Sequence, residues 1–170
     1  MTQEAIREII RRQREFFYTG ATLNIDFRIE ALKKLQASIQ AHQEQIETAL
    51  KADLGKSSFE SYMCESGLVL SEITYLLKHI RSLSREKTVH TPLAQFHSRS
   101  FQKPSPYGVS LIMSPWNYPF LLTLDPLADA LAAGNTAVLK PSAYSPATGA
   151  VLCEIIRECF PEHHVAVVMG

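Results

Sequence analysis

Two polar segments, each directly after an apolar run, hold the residues whose types best suit chemistry. The first is SPWNYP (114–119), which follows the run 109–113. Its two prolines stiffen it, and the Asn117 amide between them can both donate and accept hydrogen bonds. Because open α/β sheets bind ligands at the carboxyl ends of their strands, this segment is a candidate ligand site. The alternative is a rigid turn in which Asn117 satisfies its own backbone.

The second polar segment is KPS (140–142), which directly follows the apolar run 137–139. Lys140 places a cation and hydrogen-bond donor at the end of a predicted strand, where a bound ligand would be within reach. The alternative is an ordinary solvated lysine at a strand end. Ser142 is a second, weaker candidate for the same neighbourhood.

Composition and charge narrow the class of protein. The 170 residues are 46% hydrophobic and 20% charged, which is typical of a globular domain. Lys plus Arg equals Asp plus Glu at 17 each, so no charge bias favours nucleic acid or anionic lipid as a partner. We find no signal-peptide pattern and no apolar run near the ~20 residues of a membrane helix. The three cysteines lack paired spacing, which favours a reducing, cytoplasmic compartment.

The pattern after residue 104 predicts an α/β fold. Apolar runs within 109–113, 135–142 and 165–169 predict three buried strands, and two helical segments lie between them. Pro126 either kinks a helix that starts near Phe120 or is the first residue of one capped by Asp125. We expect Ser145 to cap the next helix. This alternation predicts the first βαβαβ half of a doubly wound, Rossmann-like cofactor domain, which is incomplete here.

Residues 1–90 are predicted to be helical. The first helix is amphipathic, and its interleaved acidic residues favour a solvated face over a membrane-surface helix. A second helical segment is expected to break near His42 and to end at Gly55. The capping box SSFE (57–60) opens a third, long helix. The expected buried side of that helix consists of Met63, Leu70, Ile73, Leu77 and Ile80.

Residues 94–103 alternate without forming a strongly apolar face, which predicts a weakly buried strand that needs a partner edge. We therefore divide the chain into a helical part (1–90), this strand region (91–103) and the βαβαβ unit (104–170). The strand is expected to pair outside its own domain.

One uninterrupted run, SPWNYPFLLTLDPLADALAAGNTAVLKPS, closely resembles the start of the cofactor domain in aldehyde dehydrogenases. Phe120 and the early start of the chain make it most similar to the class 3 (fatty and aromatic aldehyde) branch and its bacterial relatives. The resemblance extends from about Phe16 to Gly170. It implies NAD- or NADP-dependent oxidation of an aldehyde to a carboxylic acid, through a cysteine thiohemiacetal and thioester, in a homodimer. It also implies that the strand at 94–103 joins a small sheet used for subunit association.

The resemblance assigns roles to residues of both polar segments. Asn117 corresponds to the asparagine of the oxyanion hole, and Lys140 to the lysine that binds the adenosine ribose, with Ser142 nearby. Tyr118 would line the aldehyde funnel, although it and Trp116 could equally be core aromatics. The residues expected to contact the cofactor through backbone and packing are Met113, Ser114, Pro115 and Trp116.

The chain departs from the family in one position and lacks several of its parts. Ala143 stands where the family commonly has an acid that accepts from the ribose hydroxyls, so NADP or dual use becomes plausible. None of the cysteines lies beside a candidate base, and no metal ligand set is expected. The family's catalytic cysteine and general base correspond to positions after residue 170. We therefore expect an N-terminal portion that is inactive alone. The alternative is a stand-alone, non-catalytic α/β binding or assembly module.

Overall fold

A computed structural model describes residues 1–169, in which a helical N-terminal half packs against a parallel sheet. Helices α4 and α5 are joined by a π-helical turn at Tyr62–Ser66. Within residues 1–169, no helix combines the length and the apolar character that crossing a membrane requires. The helices are α1 (Gln3–Tyr18), α2 (Ile25–Ala41), α3 (Gln43–Leu54), α4 (Ser58–Ser61), α5 (Gly67–Leu83), α6 (Leu121–Ala133) and α7 (Pro146–Cys159). The strands are β1 (Lys87–Val89), β2 (Ser100–Gln102), β3 (Val109–Met113), β4 (Thr136–Lys140) and β5 (Val165–Val167).

Strands β3, β4 and β5 form a parallel sheet in that order, with α6 and α7 as the crossover helices. This confirms the predicted βαβαβ unit. The helix α6 runs through Pro126 without interruption, so it begins near Phe120 and Asp125 does not cap it. The third strand is shorter than predicted, because its ladder ends at Val167.

The prediction that β3 is buried on both faces is wrong. Leu111 and Met113 are 64% and 68% exposed, whereas β4 is almost fully buried. The difference arises because β3 lies at one edge of the described sheet, and α1 packs over Val109 at its start only. The carboxyl half of β3 therefore presents an open apolar strip on the face that α1 covers elsewhere.

The two faces of the sheet have different partners. Ala137 and Leu139 of β4 point into the main core, which α2, α3, α5, α6 and α7 complete. Val138 and Ala166 point to the other face, where Ile9 of α1 packs on them. The alternation of side chains along a strand thus divides β4 between two hydrophobic clusters.

A buried glutamine fixes α1 on the sheet. Gln13 is fully buried, and its Nε2 donates to the carbonyl oxygens of Ala137 (2.8 Å) and Glu162 (3.1 Å). Both acceptors precede or begin strand segments, so a shift of α1 along the sheet would break both hydrogen bonds. Helix α1 is followed by Gly20, which adopts the left-handed conformation at φ 76°.

The helical N-terminal half follows the prediction except at one turn. The break near His42 and the end at Gly55 are confirmed, and Ser57 Oγ accepts from the Glu60 N–H at 3.2 Å, as a capping box requires. Met63, however, is 52% exposed instead of buried. The π-helical turn holds one residue more than an α-turn and rotates the side chains, so Glu65 takes the inward position.

A buried arginine joins the start of α2 to the end of α6. The Arg28 guanidinium donates to the carbonyl oxygens of Thr22 (2.6 Å) and Ala132 (3.2 Å). Burial lowers the pKa of Arg28, and the partial negative charge at the carboxyl end of α6 favours the cation in its place. Gly134 ends α6 at φ +92°, and a Cβ there would lie 2.8 Å from the guanidinium. Position 134 therefore requires glycine, both because its backbone is left-handed and because a side chain would collide with the guanidinium.

The prediction of a strand over 94–103 is wrong for most of that range, since only Ser100–Gln102 is a strand. A 3₁₀ turn occupies Leu93–Gln95, and His97 has φ 78°, which interrupts extended backbone. The ladder is limited to β2, which pairs antiparallel with β1 of the same chain. The sequence prediction missed β1 because Lys87–Val89 is short and polar on both sides. All of β1 is exposed, so a role of this two-stranded sheet in subunit association stays a prediction.

The acid stability of the protein should depend on His164. Its ring lies 5.1 Å from that of Phe27, and burial, with His163 and Lys34 nearby, lowers its pKa from 6.5 to about 4. The unfolded chain therefore binds more protons between these values, so this contribution is complete above pH 6.5 and is lost as the pH falls towards 4. The free energy of unfolding should fall by an amount that approaches about 3 kcal/mol.

Urea unfolding at pH 7 and pH 4.5 measures this loss in the purified protein. Replacing His164→Phe should flatten the pH dependence, whereas the exposed control His90→Gln should leave it unchanged. An equal slope in wild type and His164→Phe would contradict the assignment.

Candidate active site

The two polar segments predicted from the sequence lie side by side. Residues 114–119 leave the carboxyl end of β3, and the Ser114 N–H donates to the Lys140 carbonyl oxygen at the end of β4 (3.3 Å). This hydrogen bond continues the β3–β4 ladder by one residue. The segment 114–119, called the Asn117 loop below, therefore starts from a rigid point on the sheet.

Two hydroxyl groups fix the Asn117 loop to the crossover helices. The Thr123 hydroxyl lies 2.6 Å from both the Pro119 carbonyl oxygen and Ser114 Oγ, and so connects the two ends of the loop. Ser145 Oγ donates to the Trp116 carbonyl oxygen at 3.0 Å. Since these partners come from α6 and from the residue before α7, the loop is held on two sides.

The side chain of Asn117 is exposed and free. Its backbone carbonyl oxygen accepts from Lys56 Nζ at 3.3 Å, but we find no hydrogen bond to its side-chain amide from any residue of 1–169. The amide thus does not satisfy the backbone of its own turn. Its donor and acceptor are available to a ligand at the carboxyl edge of the sheet.

A buried ion pair lies directly behind the Asn117 loop. Lys56 Nζ lies 2.5 Å from Glu65 Oε1, and the Glu65 side chain is completely buried. The other oxygen, Oε2, accepts from the backbone N–H groups of Phe120 (2.8 Å) and Leu121 (3.0 Å). Glu65 therefore caps the N-terminus of α6 from a different helix, where a negative charge is favoured.

A second carboxylate caps the other crossover helix. Asp53 of α3 accepts from the N–H groups of Ala147 (3.1 Å) and Thr148 (2.7 Å), and from the Thr148 hydroxyl. The expectation that the Ser145 side chain caps α7 is wrong, because its hydroxyl donates to the Asn117 loop instead. The N-termini of α6 and α7 already hold carboxylates, so neither is an open anion site.

The second polar segment keeps several donors available. Lys140 is half-buried, and its Nζ lies 3.3 Å from the Pro141 carbonyl oxygen, which occupies one of its three donor positions. Ser142 Oγ accepts from the Tyr144 N–H at 3.2 Å and keeps its own proton. Ala143 is exposed. The ribose roles of Lys140 and Ser142 stay predictions.

The aromatic residues of the Asn117 loop are not core residues. Trp116 and Tyr118 are both at least 40% exposed, which disagrees with the alternative of plain core aromatics. The Tyr118 ring lies under Lys56 Nζ, 4.2 Å from its centroid, as in a cation–π contact. Of the residues predicted to contact the cofactor, Met113 and Pro115 are exposed and Ser114 is buried.

None of the three cysteines of the described residues is exposed. Cys153 is buried, and Cys64 and Cys159 are half-buried. Burial raises the pKa of the Cys159 thiol, which makes it a poorer nucleophile near neutral pH. Across residues 1–169, we find no cluster of three histidine, cysteine or acidic side chains that could hold a metal ion.

The sequence matches one family over its full length. Residues 1–170 match the model of the Aldehyde dehydrogenase family. The chain is 42% identical over 155 residues to a 4,4'-diaponeurosporen-aldehyde dehydrogenase of Staphylococcus aureus, covering 91% of this chain and 34% of the relative. It is 37% identical over 167 residues to human aldehyde dehydrogenase family 3 member B1, covering 98% and 36%. The chain belongs to the aldehyde dehydrogenase family, and its similarity to class 3 members and bacterial relatives is confirmed.

Solved structures agree with this assignment. The substrate-bound state of Staphylococcus aureus AldH superposes with a TM-score of 0.94 at 40% identity, covering 97% of this chain and 36% of that one. A glyceraldehyde-3-phosphate dehydrogenase from Methanocaldococcus jannaschii, complexed with NADP, superposes with a TM-score of 0.86 at 20% identity, which shows the shared fold alone. The chain spans about a third of the length of these relatives.

The sequence prediction missed Lys56, Glu65 and Asp53. Apart from the Lys56–Glu65 pair itself, their contacts lie 55 to 95 residues away along the chain, so local patterns do not reveal them. One signal was present: Asp53 lies in the last turn of α3, where the helix dipole disfavours a carboxylate. A charge in that position needs a partner from another element.

Removing the Asp53 carboxylate should destabilise the protein measurably. Asp53→Ala leaves two N–H groups and a hydroxyl at the start of α7 without their acceptor. We expect the free energy of unfolding to fall by about 2 kcal/mol in urea titrations. The exposed carboxylate of Asp26, paired with Arg81, is the matched control, and Asp26→Ala should cost less than about 1 kcal/mol. Equal losses of unfolding free energy in the two variants would show that Asp53 stabilises α7 no more than an exposed ion pair would.

Proposed function

We propose that this chain forms the N-terminal part of an NAD(P)-dependent aldehyde dehydrogenase. In the full enzyme, a cysteine thiolate outside this segment adds to the aldehyde carbon and gives a thiohemiacetal. The cofactor, when bound, would supply the hydride acceptor that converts this intermediate to a thioester, and water would hydrolyse the thioester to the carboxylic acid and the free thiolate. The observation that carries this proposal is the free Asn117 amide, held at the carboxyl edge of the sheet in a member of this family.

Asn117 stabilises the oxygen of the reacting carbonyl. When the thiolate adds, negative charge develops on that oxygen, and a donor already in place lowers the barrier. The Asn117 loop suits this role because Thr123, Ser145 and Lys56 hold its backbone while the side chain stays free. Tyr118, the next residue, lines the aldehyde funnel.

The second polar segment holds part of the cofactor. Lys140 has donor positions left for the ribose hydroxyls, and Ser142 keeps one hydroxyl proton for the same group. Met113, Ser114, Pro115 and Trp116 provide backbone and packing beside it. Because carboxylates occupy the N-termini of α6 and α7, the cofactor's pyrophosphate binds residues outside this segment.

Assembly and location follow from weaker observations. The free edges and exposed residues of β1 and β2 support a homodimer formed through the region 91–103. The unpaired cysteines support a cytoplasmic enzyme.

Without a cysteine nucleophile and a base, the segment is inactive alone. A stand-alone binding module would require a closed sheet, and the open strip at Leu111 and Met113 argues against it.

Replacing Asn117→Ala tests the oxyanion role. In the full-length enzyme, the acylation rate in single-turnover experiments should fall by ~10²-fold or more, while the cofactor dissociation constant stays nearly constant. The control Asn24→Ala removes an exposed helix cap far along the chain and should leave the acylation rate unchanged. An unaffected rate in Asn117→Ala would reduce this residue to part of a turn.

Cofactor choice is tested at two positions. Ala143 leaves no negative charge where a 2′-phosphate would bind, so we expect NADP affinity within about tenfold of NAD affinity. Ala143→Glu should weaken NADP selectively, by up to several kcal/mol if the contact is desolvated. Lys140→Met should weaken both cofactors by ~1.5–3 kcal/mol through lost charged hydrogen bonds. Dissociation constants of both cofactors measure this, and an unchanged NADP to NAD ratio in Ala143→Glu would remove Ala143 from the ribose site.

A further inference from the structure

The Asn117 loop is held from behind by two residues of the N-terminal helical half. Lys56 Nζ contacts Glu65 Oε1 (2.5 Å), the Asn117 carbonyl oxygen (3.3 Å) and the face of the Tyr118 ring. An ammonium group has three donor positions. All three directions are therefore used, and two of them end on adjacent residues of the loop.

Glu65 fixes the other end of the same stretch. Its second oxygen binds the N–H groups of Phe120 and Leu121, where the loop becomes α6. The pair thus holds the chain at residue 117 and again at 120–121, with only two residues between these points. Since the Asn117 side chain has no partner of its own among residues 1–169, the backbone position limits which positions its amide can reach.

We propose that Lys56 and Glu65 are positioning residues, which hold the Asn117 amide where the oxygen of the reacting carbonyl develops its charge. The proposal rests on the oxyanion role of Asn117 proposed above. It assigns the N-terminal helices a part in the reaction, although neither residue touches the substrate.

The charge of the pair supports positioning over simple stabilisation. A buried ion pair loses much of its hydration, so replacing both partners by apolar residues is often neutral for stability. What such a pair provides is fixed geometry, since both charges hold their hydrogen-bond partners in specific directions. Here the partners are the backbone groups on each side of Tyr118 and Pro119.

The π-helical turn makes this arrangement possible. It turns Glu65 inward while Met63 is exposed. Gly67 closes the turn with an N–H bond to the Tyr62 carbonyl oxygen. A Cβ at Gly67 would lie 2.6 Å from that oxygen, so another residue there would force the turn to shift. π-helical turns inside α-helices often occur at functional sites.

A double-mutant cycle in the full-length enzyme tests the proposal. Lys56→Met should lower the single-turnover acylation rate by about 10- to 100-fold, since a displacement near 1 Å can cost ~10²-fold. In the Asn117→Ala background, the same Lys56→Met change should have almost no further effect, because no amide remains to be positioned. The cofactor dissociation constant should stay constant in both.

Two further variants keep the test independent of folding. Lys56→Met with Glu65→Gln removes both charges together and leaves no unpaired ion; it should show the same loss of acylation rate at an unchanged cofactor affinity. Lys51→Met and Glu60→Gln, at exposed positions on either side of Lys56, are matched controls and should keep the wild-type rate.

The outcomes separate the two proposals. If Lys56→Met lowers the rate by the same factor with and without Asn117, the pair stabilises the fold and does not position the amide. Unchanged rates in both Lys56→Met and the double variant would equally overturn the positioning role. If Asn117→Ala alone keeps the wild-type rate, the oxyanion role itself fails.

Discussion

The structure around the candidate active site depends on one buried carboxylate. The Glu65 side chain is completely buried, and its two oxygens are shared between an ammonium group and two backbone N–H groups. Removing either type of partner would leave a buried charge without compensation, which is costly. The contacts of Glu65 therefore fix the relative positions of four elements that are distant in sequence: α4, the π-helical turn, the Asn117 loop and the start of α6.

The N-terminus of α7 is likewise capped by a carboxylate from another helix. Its first N–H groups bind Asp53, which the end of α3 supplies. In many nucleotide-binding sheets the N-termini of the crossover helices bind phosphate. Here protein carboxylates occupy both, and this leaves the loops before the helices, not the helix ends, to meet a ligand. The candidate site consequently consists of a neutral amide and a lysine at the carboxyl ends of β3 and β4.

Local patterns predicted the parts of the fold that depend on neighbours in sequence. Proline, glycine and capping signals located the loop at 114–119, the break at His42 and the end of α3. They did not predict β1, the exposure of β3 or the π-helical turn, because these depend on which element packs against which. The resemblance and the positions at strand ends made Asn117 and Lys140 candidates, and their roles stay predictions. Lys56 and Glu65 could not be identified in this way, since a lysine before a capping box has the same local pattern whether it is buried or solvated.

The helical half therefore does more than cover the sheet. A loop between two prolines is stiff, but stiffness alone does not choose its direction. The direction comes from contacts on two sides of the Asn117 loop: Lys56 and Glu65 hold it from outside the βαβαβ unit, and Ser145 holds it from within that unit. A side chain that must meet a reacting atom within a fraction of an ångström needs such independent supports. The exposed amide and the buried ion pair are in this sense two ends of one arrangement, in which buried charges fix the backbone and leave the side chain free to act.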